Sequence, residues 1–175
     1  MAEATPKPAP AASDDNRCVA ALQALAGGRF AKWQSLTTHC VITHAEQAIG
    51  PSTGDVGIGD LGGVPTPFRT YPATAAAPEG ITIWFRDDKI VLVRLAHPVL
   101  AEALDTSLGP PEGKEPSRLA SGHAQWIYAS RGIVAHVFGS DTVKPFQVYA
   151  FEPMSVDDFR KSWIARLETR RIRQP

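Results

Sequence analysis

The chain has 175 residues, enough for one ordinary domain or for two small halves sharing a core. Eighteen basic residues offset eighteen acidic ones, so the charge gives no reason to expect nucleic acid or a membrane surface as partner. Hydrophobic residues are 43% and charged residues 21% of the composition, the balance of a chain with a real core, and no apolar run approaches the roughly 18 residues that span a bilayer.

Residues 1–15 are Ala/Pro-rich and carry nothing large and apolar. Such a segment cannot offset its ordering entropy by burial, so it reads as a disordered leader. It lacks the apolar stretch of a signal peptide, and the sequence as it stands reads as cytoplasmic. The same composition is found in linkers after a cleaved signal or lipid anchor, and export is the alternative. Asp14 or Asp15 is positioned to cap a first helix, with Val19, Leu22 and Leu25 on its apolar stripe and Gly27-Gly28 at its end. Phe30, Trp33 and Leu36 continue a helical spacing beyond it. Cys18 and Cys40 are the two cysteines; an oxidising compartment would join them, but two in a chain this long read more simply as buried, reduced thiols.

Thr43 and Glu46 have the spacing of a capping box, and Gly50-Pro51 forbids continuation, so residues 43–49 form a short helix. The Gly- and Pro-rich stretch 52–67 reads as a long loop. Three strands follow at 68–71, 81–86 and 89–96, the last two joined by a tight turn at Asp87-Asp88. The order then recurs. A helix over 99–108 carries Leu100, Leu104 and Leu108 at every fourth position and stops at Gly109-Pro110. A polar loop over 111–123 leads to strands at 125–128, 132–138 and 144–151. Finally, Ser155 and Asp158 cap an amphipathic helix carrying Phe159, Trp163 and Leu167. Arg166, Arg170, Arg171 and Arg173 sit at its C-terminal end, where the helix dipole favours positive charge.

The expected fold is therefore α+β: two tandem units of a helix plus an antiparallel meander, with an extra helix at each end and units spanning 16–98 and 99–175. Residues 43–51 and 104–112, with the strand order after each, resemble the tandem units of the β-lactamase-inhibitor-protein and small outer-membrane-assembly lipoprotein superfamily. That resemblance implies a non-enzymatic protein whose sheets or loops dock on other proteins.

Strand alternation locates a candidate surface. Ile81, Ile83 and Phe85 share one face of their strand, as Ile133, Ala135 and Val137 do of theirs. Trp84 and His136 point the other way, and Trp126 and Tyr128 are expected to line up between them. An aromatic sheet face of this kind is a common protein-binding surface, because rigid rings bury much area at small entropic cost; the competing reading is that Phe159 and Trp163 of the last helix cover it. His39, Cys40 and His44 form the one local cluster of nucleophile and base types, with Cys40 just ahead of a helix N-terminus. Three potential ligands without a fourth make a poor zinc site. Asp87 and Asp88 read as turn residues, and the spacing of Gly57, Gly59, Gly62 and Gly63 does not make a phosphate loop. The expected function is a non-enzymatic binding or accessory module, without cofactor, that docks another protein on the sheet face or on the stretch 52–67. The alternatives are an inhibitor or immunity-type protein, and a small enzyme or ligand-binding protein with a site between the halves that uses His136 or the Cys40 cluster.

Overall fold

A serine caps the first helix. In the computed structural model, which describes residues 13–33, 36, 39–99, 104–119, 121–138 and 144–167, Ser13 Oγ accepts the Asn16 amide at the start of α1, Asp14–Ala26. The cap is thus Ser13 and not Asp14 or Asp15, which belong to the first turn; the leader before Ser13 lies outside the described residues. Cys18, Ala21, Leu22 and Leu25 form the buried stripe, and Val19 is half-buried beside it. Cys18 takes Val19's place because it is covalently tied: it forms a disulfide with Cys40 across a Cα–Cα distance of 5.4 Å. This corrects the expectation of two reduced thiols. A 3-10 turn, Phe30–Lys32, then sinks Phe30 and Trp33 into the same core.

Helix α2 is Ile42–Ile49. Its cap falls two residues earlier than Thr43 and Glu46 imply, on Val41, so the third helical position is His44, whose Nδ1 accepts the Val41 amide at 3.1 Å. The imidazole does the work expected of Glu46, which is free to pair with Arg69 instead. Gly50, at φ +99, ends the helix.

The stretch expected as a loop is a hairpin of β1, Thr53–Leu61, and β2, Val64–Tyr71. Gly62 and Gly63 both have positive φ and make a two-residue turn whose twist matches the flanking strands. The prolines fit because Pro65 and Pro67 precede Phe68, where the ladder to the next strand begins, and β1 is an edge strand that tolerates glycine. The strands β3, Ile81–Arg86, and β4, Lys89–Ala96, follow as expected and turn at Asp87-Asp88.

Helix α3, Leu104–Leu108, is the described part of the expected helix over 99–108; residues 100–103 lie outside the described residues. The supposed polar loop after it contains a short strand β5, Gly113–Pro116. Then come β6, Ala124–Tyr128, β7, Ile133–Phe138, and β8, Lys144–Ala150. Together the strands make one eight-stranded antiparallel sheet in the order β1-β2-β3-β4-β8-β7-β6-β5. Each meander thus has four strands rather than three, both outer strands having been hidden in Gly/Pro-rich or polar sequence. The two meet at β4 and β8.

One sheet face holds Ile81, Ile83, Phe85, Ile133, Ala135 and Val137 against α1, the 3-10 turn, α2 and α3. The other is crossed at one end by α4, Val156–Lys161, capped by Ser155, and a 3-10 turn, Ile164–Arg166. The expected helix through Leu167 is broken at Ser162, whose hydroxyl donates to the Phe159 carbonyl and whose backbone is extended. Phe159 and Ile164 are therefore the buried anchors, packed with Leu92, Ile127, Val134 and Phe151, while Trp163 and Leu167 are half-buried. Arg170, Arg171 and Arg173 lie outside the described residues.

Two stability predictions follow from this framework. The disulfide spans 22 residues, for which loop closure is worth about 3 kcal/mol, so reduction or Cys40→Ser should lower the thermal midpoint by several degrees in calorimetry. Gly132 has φ +67, and a Cβ there would lie 2.1 Å from the Phe151 carbonyl oxygen. Gly132→Ala should accordingly cost about 3 kcal/mol in urea unfolding, far more than the same change at Gly109, where nothing lies within 4 Å.

Candidate functional site on the second sheet face

Period-two alternation puts Thr82, Trp84 and Arg86 of β3 on the face away from α1. Pairing of Thr82 with Arg94, and of Arg94 with Tyr149, carries the same face across β4 and β8. Gln147 is level with His136, and His136 with Gln125, so a polar row runs alongside. Phe68 of β2 stands opposite Trp84, ring centroids 5.8 Å apart. Its ring lies over Gly57, where a Cβ would come within 2.3 Å of it; the edge strand is glycine-rich here because an aromatic ring occupies the space.

Cations and rings alternate along this face. The Arg86 guanidinium sits 5.9 Å from the Trp163 ring, and that of Arg94 5.3 Å from the Trp84 ring. Arg86 also donates to Leu61 O and Thr66 Oγ1, and Arg94 to Thr82 Oγ1 at 3.2 Å. Neither has a carboxylate within ion-pair distance among the described residues, in contrast to Arg69 with Glu46 and Arg160 with Glu115 and Asp157. Burial pushes the Tyr149 hydroxyl up to about 12 despite the opposing charge of Arg94, so Tyr149 stays neutral; it donates to Gln147 Oε1.

Of the four expected surface residues, the structure brings Trp84 and His136 to this face and sends Trp126 and Tyr128 to the other. Trp126 pairs with Ala135 and Tyr128 with Ile133, so both belong to the helix-covered core. The expected line-up fails because β6 is offset by one residue: its position on the Trp84 side is Ile127. Trp84 is half-buried, whereas His136 is only 2% exposed. Ser117 and the neighbouring rings contribute to that burial: Ser117 Oγ lies 2.8 Å from His136 Nδ1, Phe146 and Tyr149 pack on the imidazole, and His123 packs on Phe138 and Phe146. The Phe159/Trp163 segment covers the end of the face near the β1–β2 turn, where Trp163 rests on Gly62. Coverage is partial.

The reactive cluster is overturned. Cys40 is half of a disulfide and offers no thiolate, and His44 is 6% exposed, bonded to the Val41 amide and 3.2 Å from Asp15. His39 is exposed at the surface. The Ser117–His136 pair has the atom types of a nucleophile and base, yet Nε2 of His136 has no hydrogen-bond partner among the described residues to orient the ring. No group of three or more His, Cys, Asp and Glu suited to a metal ion occurs among the described residues. Arg86, Arg94, Phe68 and Tyr149 were missed by sequence reasoning. The signal available was an arginine at an inward-reading position of the apolar run KIVLVRLA.

The fold is α+β, with N-terminal helices and one antiparallel sheet, and none of its described helices is long and apolar enough to cross a membrane. No protein-family model matches the chain, and a search of curated proteins finds no match. Two solved bacterial structures are similar in part. A DUF4309 family protein, YjgB, from Bacillus subtilis is 15% identical, with a TM-score of 0.44 over 79% of this chain and 97% of its own. The uncharacterized protein YfeY from Escherichia coli is 13% identical, with a TM-score of 0.43 over 67% of this chain and 94% of its own.

Desolvation, with a smaller contribution from His123, pushes His136 down to about 4 from its ordinary 6.5. The native state therefore binds fewer protons than the unfolded chain between those values, and stability is full above pH 6.5 and falls as pH drops towards 4. The difference amounts to about 3 kcal/mol. Thermal scans from pH 7 to pH 4 should show a steeper loss for the wild type than for His136→Gln; parallel curves would remove His136 from the acid transition.

Proposed function

We propose that this protein is a non-enzymatic binding module that docks a partner protein on the second sheet face, around Trp84, Phe68 and Arg94. The observation that carries the reading is the half-buried Trp84 between the Phe68 ring and the Arg94 guanidinium on the second sheet face. Tryptophan and arginine at the centre of a rigid sheet are the residue types that dominate protein interfaces, because they bury large area without losing many rotamers. The β1–β2 hairpin adds a second exposed element beside it, with Ile58 67% exposed on an edge strand. In this reading the two four-stranded meanders, each preceded by a short helix, are copies of one unit, as in the β-lactamase-inhibitor and assembly-lipoprotein superfamily. An inhibitor or immunity role is a special case of the same docking. The Cys18–Cys40 disulfide favours a compartment outside the cytoplasm.

A photo-crosslinking amino acid placed at Phe68, in cells of the source organism, should yield one discrete protein adduct identified by mass spectrometry. Trp84→Ala should remove it while leaving the circular dichroism spectrum unchanged. The same adduct from position 43, exposed on α2, or none from 68, would sink the assignment of the face.

A further inference from the structure

We infer that the strip Arg86–Trp84–Arg94 recognises carboxylates: the docked partner presents an acidic segment to it. This rests on the docking reading above and names the chemistry of that site. Three observations carry it. The two guanidiniums flank Trp84 on one face, Arg86 two residues along β3 and Arg94 on the neighbouring strand level with Thr82. Each is half-buried and held by a ring, Trp163 for Arg86 and Trp84 for Arg94, so its plane is already oriented. A preoriented fork loses less freedom when it takes a planar carboxylate through parallel N–H bonds.

The charge around the strip is uncompensated. Phe68, Thr82, Trp84, Arg94, Gln147 and Tyr149 make up this part of the face, Thr82 and Tyr149 buried and the others half-buried, and none is acidic. Glu115, at the far edge of the sheet on the same face, is bound by Arg160 at 2.7 Å. The Arg94 Nε–H is buried without an acceptor among the described residues, and the neighbouring Tyr149 stays neutral, so it does not offset the charge. A half-buried cation stacked on a ring and lacking a counter-charge is a complement to an acidic side chain in a desolvated contact. Two arginines do not make the cationic track that a nucleic-acid backbone requires, and the chain's net charge is zero.

The test is a two-dimensional NMR titration of the full, oxidised chain with three capped hexapeptides: six glutamates, six glutamines, and a glutamine peptide carrying two phosphoserines. The glutamate peptide should shift the Trp84 indole and Arg94 Nε–H signals saturably, with the glutamine peptide leaving both in place. Arg94→Gln should weaken glutamate-peptide binding at least tenfold, and Arg94→Lys, which keeps the charge but loses the flat fork, should weaken it less. Absence of a saturable shift with the glutamate peptide, equal shifts from the glutamine peptide, or unchanged binding by a folded Arg94→Gln would each overturn the inference. Binding of the phosphoserine peptide alone would overturn it in favour of phosphate. The two readings fail separately. If the crosslink from Phe68 persists in Arg94→Gln, the docking face stands and carboxylate recognition falls. If the glutamate peptide binds but no crosslink forms, carboxylate recognition stands and the protein-docking reading falls.

Discussion

The seam between β4 and β8 is the constraint on which the rest of the sheet depends. Four residue pairs, from Val93 with Ala150 to Ala96 with Gln147, join two meanders that touch through no other pair of strands in the sheet. Both strands are central, so their residues must serve two faces at once. Val93, Leu95, Val148 and Ala150 supply the core beneath the N-terminal helices. Between them, Arg94, Gln147 and Tyr149 face the other way and form the middle of the candidate surface. A sheet buried on one face alone would place water over such residues. Here the C-terminal segment crosses one end only, and the polar positions stay beside it.

That geometry explains why the site is mixed rather than simply aromatic. Polar groups at the centre of a sheet are tolerated when they bond one another, and Thr82 with Arg94, Tyr149 with Gln147, and Ser117 with His136 do so in pairs. Rings fill the space between the pairs. The pairing is incomplete at Arg94 Nε and His136 Nε2, each buried without a hydrogen-bond partner among the described residues. His136 is buried, however, beside Ser117, while Arg94 is half-buried. The difference separates a structural residue from a candidate contact.

Much of the framework was legible in the sequence because its signals are local. Alternation in ITIWFR and IVAHVF assigned β3 and β7 and their inward faces correctly, and Asp87-Asp88, Gly50 and Gly109 marked their turns and stops. What failed was whatever depends on a neighbour. Strand β1 reads as loop because Gly57 has given up its side chain to Phe68, a residue 11 positions away. Trp126 and Tyr128 were placed on the wrong face because strand register, not composition, decides which side a residue takes. The disulfide depends on the approach of α1 to the segment before α2, which two cysteines in a sequence do not reveal. The arginines of the candidate site drew no reading at all, since nothing in the sequence says that a charge lacks its opposite.

The bonds between Trp33 and the β6–β7 turn have a consequence for how the chain is made. Trp33 Nε1 donates to the Arg131 carbonyl, and Arg131 returns bonds to the carbonyls of Phe30 and Trp33, across a separation of nearly a hundred residues. The N-terminal helical layer thus waits for a partner that leaves the ribosome much later. During that interval the first meander is finished as a strand pattern but its inner edge, β4, has no β8 to pair with. Synthesis at about 5–20 residues per second leaves that edge open for several seconds, with Ile90, Val93 and Leu95 alongside it. The nascent half-sheet is the stage at which this protein most needs to be kept from its own kind, and the late arrival of β8 is what ends it.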